Sequence, residues 1–192
     1  MKPVERNEIV DYVTYEERRE AFRADVLKAK AVRRVHVGEY LTLLFENRLT
    51  VQYQIQEMIR TERVVKEADI IHEIKTYNEL LGAEGELGCT LLIEIEDVNV
   101  RAEKLKSWVD LPDNIYLKFE DGDKALARID ERQREEGKLS SVQFLKFDTK
   151  GRVPIVVGVD YQDQTAETVL SEEQRNALSE DLYYNTFAKS MK

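Results

Sequence analysis

The stretch Leu44-Phe-Glu-Asn-Arg-Leu-Thr-Val-Gln-Tyr-Gln-Ile-Gln-Glu-Met-Ile-Arg-Thr-Glu-Arg63 decides how the first half of the chain folds. Leu49, Val51, Tyr53 and Ile55 alternate as in a strand, whereas Val51, Ile55, Met58 and Ile59 have helical spacing. Gln, Glu, Met and Arg favour helix, and the helical pattern runs further, so the reading is a helix from about Arg48 to Arg63. On that helix Gln52, Gln56, Arg60 and Arg63 line one face, with Arg48 near its start. Polar groups so close to apolar neighbours must find partners or cost roughly 1–3 kcal/mol each. The segment is therefore either a structural hydrogen-bond network or the floor of a binding site.

Working outward, Thr14-Tyr-Glu-Glu17 fits a capping box for a helix to about Val32, with Phe22, Val26 and Ala29 on one face. Glu39 to Glu46 alternates as a strand with apolar residues on both faces, which implies burial on both. Ile70, Ile74, Tyr77 and Leu81 stripe a helix over about Lys66–Leu81, and Gly82 stands where a left-handed cap would end it. Strands follow at Thr90–Glu96, Ile115–Glu120, Lys124–Asp130, Ser141–Asp148 and Val153–Tyr161, with a short helix over about Val100–Val109. Asp121-Gly122 is a hairpin signal, and Glu131 to Lys138 reads as a charged loop. Ser171-Glu-Glu-Gln174 is a second capping box, opening a helix to about Leu182. The order is α+β: N-terminal helices with one strand, then a mainly antiparallel sheet (β-α-β followed by a meander) and a C-terminal helix. Residues 1–184 are expected as one domain, with Gly82–Gly88 its only hinge-like stretch, and 185–192 as a loose C-terminal tail.

Composition narrows the function. The 192 residues carry a net charge of −9, which argues against general nucleic-acid binding, since that affinity comes from Lys and Arg neutralising phosphates. No apolar run approaches the ~20 residues that span a bilayer, and the polar start Met1-Lys-Pro-Val-Glu-Arg-Asn-Glu8 is unlike a signal peptide, so the expected location is cytoplasmic. The single cysteine, Cys89, opens an apolar run and reads as a buried, inert thiol. With it and only His36 and His72, an intrachain disulfide, a multi-thiolate cluster and a three-histidine metal site are excluded from this chain alone.

The candidate sites each have a plain structural reading beside the chemical one. Arg48, Arg60 and Arg63 with Gln52 and Gln56 could grip a small carboxylate or phosphate, because guanidinium offers a planar fork of donors. The competing reading pairs those arginines with Glu57 and Glu62 on a solvated face. Asp69 and His72 have the spacing of two metal ligands but lack a second pair. Glu94, Glu96 and Asp97 fit a solvent-facing strand, Asp121-Gly-Asp123 fits a turn, and His36 fits a satisfied structural histidine. No Gly-rich phosphate loop, nucleophile elbow or zinc-protease motif is present, so no catalytic residue, metal or cofactor is assigned.

Leu43 to Arg63, the Tyr77-Asn78 pair, Leu91-Leu-Ile-Glu94, Val142-Gln-Phe-Leu-Lys-Phe147 and Gly158-Val-Asp160 together resemble a bacterial family known only as a domain of unknown function. The resemblance runs from about Tyr15 to Leu182. Members are often encoded beside rubrerythrin and an iron–sulphur oxidoreductase, so it implies a protein partner in an oxidative-stress or electron-transfer system. It carries no catalytic residues to transfer. The leading expectation is a non-catalytic accessory or interaction protein. The alternative is a binding module for a small anion on the Gln/Arg helix face (Arg48, Gln52, Gln56, Glu57, Arg60, Arg63). A further alternative is an enzyme using the carboxylates Glu46 and Glu57. A homodimer is compatible with an α+β chain of this size.

Overall fold

The computed structural model describes residues 1–130 and 137–187, with side chains described as far as 183. The elements run α1 (Tyr12–Ala31), β1 (Arg34–Val37), β2 (Leu41–Glu46), α2 (Arg48–Glu62), α3 (Glu67–Asn78), β3 (Glu86–Ile93), α4 (Val98–Ser107), β4 (Ile115–Lys118), β5 (Lys124–Ile129), β6 (Val142–Asp148), β7 (Val156–Tyr161), β8 (Gln164–Val169) and α5 (Glu172–Phe187). This is the α+β architecture expected from the sequence, built on one antiparallel sheet of eight strands in the order β1-β2-β3-β6-β5-β4-β7-β8.

The sheet curls until its two ends meet. Thr168 Oγ1 of β8 donates to the His36 carbonyl of β1 at 2.6 Å, and Gln174 Nε2 of α5 donates to the Arg34 carbonyl at 2.8 Å. Side chains thereby satisfy an edge that would otherwise present bare carbonyls. Alternate residues of the strands fill the concave side: Leu41, Leu43 and Phe45 from β2, Leu87, Cys89 and Leu91 from β3, Leu145 and Phe147 from β6. Trp108, Leu178 and Leu182 join the same core. A second cluster (Val51, Ile55 and Ile59 of α2, Ile70 and Ile74 of α3, Val4 and Ile9) lies among the helices. β2 is buried on both faces because the core takes one parity, while Thr42, Leu44 and Glu46 face the helical layer.

Several expectations need correction. Helix α1 begins at Tyr12, ahead of the Thr14 box, because Asp11 accepts from the Val13 and Thr14 amides and takes the cap itself. Gly82 does not adopt a left-handed cap. It is small because a Cβ there would stand 2.3 Å from the Glu86 carbonyl, just as one at Gly88 would stand 1.8 Å from that of Leu80. The expected hinge is therefore a close backbone crossing that leads directly into β3. β1 and β8 were not expected as strands. Of the expected charged loop (131–138), residues 131–136 lie outside the described residues; of the expected tail (185–192), residues 188–192 do so, and the first three belong to α5, which continues through Phe187. The Ser171 box forms as expected, with Ser171 Oγ accepting from the Gln174 amide and Gln174 Oε1 from that of Ser171.

A buried polar hub joins the two layers. Arg33 Nε and Nη2 donate to the two oxygens of Asp181 at 2.7 and 3.0 Å, with both side chains under a tenth exposed. Burial pushes the Asp181 carboxyl above its ordinary range, against the pull of Arg33 and of a hydrogen bond with Asn47. Removing Arg33 strips away the compensation and leaves the desolvation cost. Arg33→Ala is expected to lose about 3–5 kcal/mol of stability, and the double change Arg33→Met with Asp181→Leu to recover most of it. Urea unfolding of the three proteins checks this; equal losses in the single and double variants would refute it.

Candidate functional site

Helix α2 follows β2 after a single residue, Asn47. Its side chain accepts from the Thr50 amide at 3.0 Å, and Thr50 Oγ1 accepts from the Asn47 amide at the same distance. The helix runs as expected to Glu62, and Arg63 ends it in the left-handed conformation, φ 50°. Its polar face meets the N-terminal segment and α1. Arg48 pairs with Glu8. Gln52 Nε2 donates to the Glu8 carbonyl at 3.0 Å. Gln56 holds Val10 from both sides, Oε1 accepting from its amide at 2.8 Å and Nε2 donating to its carbonyl at 3.1 Å. Glu57 accepts from Tyr15 Oη at 2.8 Å and from Arg19 Nε and Nη2 at 2.7 and 2.9 Å. Arg60 pairs with Glu16.

The sequence-selected residues are thus brought together on one face, and most of their hydrogen-bonding capacity straps residues 8–19 to α2. A cleft of about 930 Å³ opens between the start of α1 and the end of α2, lined by Tyr12, Glu16, Glu17, Arg60, Thr61 and Arg63. Two carboxylates there face two guanidiniums. Burial works to raise the Glu57 carboxyl, but the bonds from Arg19 and Tyr15 outweigh it and hold the group below its usual range. Arg48 likewise holds Glu8 low, and Arg60 holds Glu16 low.

The two carboxylates of the enzyme reading have separate surroundings. Glu46 is buried and accepts from Thr50 Oγ1 and from Thr90 Oγ1, the latter at 2.6 Å, whereas Glu57 belongs to the α1 strap. Cys89 is buried in the core, and burial lifts its thiol well above the ordinary value. Asp97 caps α4 through the amides of Asn99 and Val100. Among the described residues no three His, Cys, Asp or Glu side chains gather closely enough to hold a metal ion.

Sequence reasoning missed the convex face of β6 and its surroundings. Leu44 of β2 and Thr90 of β3 are buried on the face opposite the core, but Val142 is 43% and Phe144 37% exposed on β6, beside half-buried Leu92 of β3. At this step between helix and open sheet lies a recess of about 690 Å³, lined in part by Tyr77, Leu80, Phe144 and Lys146. The signal was present in the motif Val142-Gln-Phe-Leu-Lys146, which puts apolar residues on both faces of one strand.

The family model described as a protein of unknown function, DUF3501, matches residues 3–182. The chain belongs to this family. A crystal structure of a protein of unknown function from Burkholderia pseudomallei is similar at 28% identity, with a TM-score of 0.87 over 94% of this chain and 100% of that one. No curated protein matches the sequence. Family membership agrees with the resemblance that Leu43–Arg63 carries.

Glu57 provides a direct test of the strap. A carboxylate held below its unfolded value stabilises the fold above that value, and the contribution is lost as pH falls through the folded one. Glu57→Gln is expected to cost about 1–3 kcal/mol near neutrality. Its deficit against the native protein should shrink below about pH 4. Thermal unfolding at both pH values reads this out, and a deficit independent of pH would show that shape rather than charge holds α1.

Proposed function

We propose that this protein is a non-catalytic accessory protein whose convex β6 face docks a protein partner, a rubrerythrin-type or iron–sulphur redox protein. The observation that carries the reading is exposed Phe144, which lines the Tyr77–Leu80 recess, with exposed Val142 two residues away on the same strand face. Large apolar side chains around a concavity are what an interface core requires, and aromatic anchors supply much of the binding energy there. Lys146 lines the recess and has no ion-pair partner among the described residues. Arg128, Glu79, Glu86 and Asp130 line it too, so the complementary segment is defined by an apolar anchor flanked by charges of both signs. The redox identity of the partner rests on the gene company that the family resemblance implies. No helix among the described residues is long and apolar enough to cross a membrane.

The intrachain use of Arg48, Gln52, Gln56, Glu57 and Arg60 supports the docking reading over an anion site on α2. Native mass spectrometry of the protein mixed with rubrerythrin or the co-encoded oxidoreductase is expected to give a complex. Val142→Asp with Phe144→Asp is expected to weaken it about tenfold or more while leaving the unfolding temperature close to native. Failure to bind either protein, or binding unaffected by the substitutions, would overturn the reading. A homodimer lost in the same variant would overturn it too, by assigning the face to a second copy.

A further inference from the structure

The last turn of α1 overhangs edge strand β1, and three basic side chains meet beneath it. Arg34 and His36 share the convex face of β1, since Val35 and Val37 between and beyond them point into the core. Lys30 descends from α1, and with Leu27 and Ala31 these residues line a recess of about 340 Å³. In a chain of net charge −9, no carboxylate pairs with Lys30, Arg34 or His36 among the described residues. The Lys30 ammonium lies 5.1 Å from the Tyr53 ring centroid and is half-buried. Burial holds it below its ordinary value; Glu46 pulls the other way, and Arg34 pushes it lower still. Like charges held this close, with no ion-pair partner among the described residues, oppose one another, and an anion between them would relieve that cost.

His36 is also oriented. Its Nδ1 lies 2.8 Å from Thr42 Oγ1, and the same hydroxyl is hydrogen-bonded to Glu94. A hydroxyl has one proton to give, and the carboxylate, an acceptor only, takes it. Thr42 must then accept from Nδ1–H, so Glu94 fixes the tautomer through Thr42. Nε2 is left as the nitrogen available to the recess. It can accept a proton from a P–OH group, or carry one and donate to a phosphoryl oxygen.

We propose that the Lys30–Arg34–His36 recess binds the phosphoryl group of a small molecule. Lys30 supplies a point charge from above, Arg34 a planar fork of donors from the strand, and His36 a shared proton. Glu94 and Thr42 are positioning residues for that histidine. The site is distinct from the Gln/Arg face of α2 and independent of the docking face on β6.

The test is a nuclear magnetic resonance titration of the full-length protein with inorganic phosphate. Saturable shifts centred on 30–36 and on the His36 ring are expected. Arg34→Ala should weaken binding about tenfold, and His36→Gln should weaken it as well, while Lys75→Ala on exposed α3 leaves it unchanged. Glu94→Gln should move the His36 ring resonances without unfolding the protein. A parallel titration with glycerol phosphate separates the sources: tighter binding of the ester keeps the proposal and names a phosphate ester, and tighter binding of inorganic phosphate keeps it and names the free ion. Absence of saturable shifts, or affinity equal in the native, Arg34→Ala and His36→Gln proteins, overturns the proposal.

Discussion

Everything in this fold hangs on the turn from β2 into α2, where charged and polar groups are buried between the sheet and the helices. Glu46 ends β2 with its carboxylate held by Thr50 and Thr90, and Asn47 caps the helix that follows. Beside them Arg33 and Asp181 bring the end of α1 and the terminal helix α5 to the same place, with Asn47 reaching Asp181. Apolar packing is tolerant of sliding, but a buried charge without its partner is costly, so this hub admits one arrangement of sheet and helices. The hub also explains how the last helix can be tied to the first: the Arg33–Asp181 pair spans 148 residues of sequence.

From that constraint follows an uneven distribution of cover. Helix α2 emerges directly from β2, and α1 and α3 pack against it. No element among the described residues returns over β6 in the same way, which leaves Val142 and Phe144 at the surface. The recess between Tyr77, Leu80 and Phe144 is the edge of the helical layer. The proposed docking surface is thus a consequence of where the helical layer stops.

Electrostatics divides these basic side chains into two kinds. Arg19, Arg48 and Arg60 have carboxylate partners within the chain and act as straps that hold the N-terminal segment to α2. Lys30 and Arg34 have none among the described residues, and they stand together. An acidic protein that keeps an uncompensated basic island at the end of a helix has two uses for it. The cations complement the negative end of the α1 dipole, and they remain available to an incoming anion.

Local elements with a strong period were legible in the residues alone. The helical stripe of Val51, Ile55 and Ile59 outweighed the competing alternation, and α2 lies where that stripe places it. The Ser171 box started α5 for a reason contained in four residues. β1 and β8 escaped notice because Arg34–Val37 is only four residues long and Gln164–Val169 alternates between half-buried and exposed, with a turn before it that lacks glycine. The Gln/Arg face could be read as polar and close to a core, yet its partners Glu8, Val10, Tyr15 and Glu16 lie some forty residues earlier, at a distance periodicity does not register. Gly82 and Gly88 looked like a flexible loop until the crossing of backbones gave their lack of a side chain a steric reason. Local spacing fixes which way a side chain faces along its own element, because that depends on the backbone repeat alone. What it faces depends on which distant segment is packed there, and that is set by the folded chain as a whole.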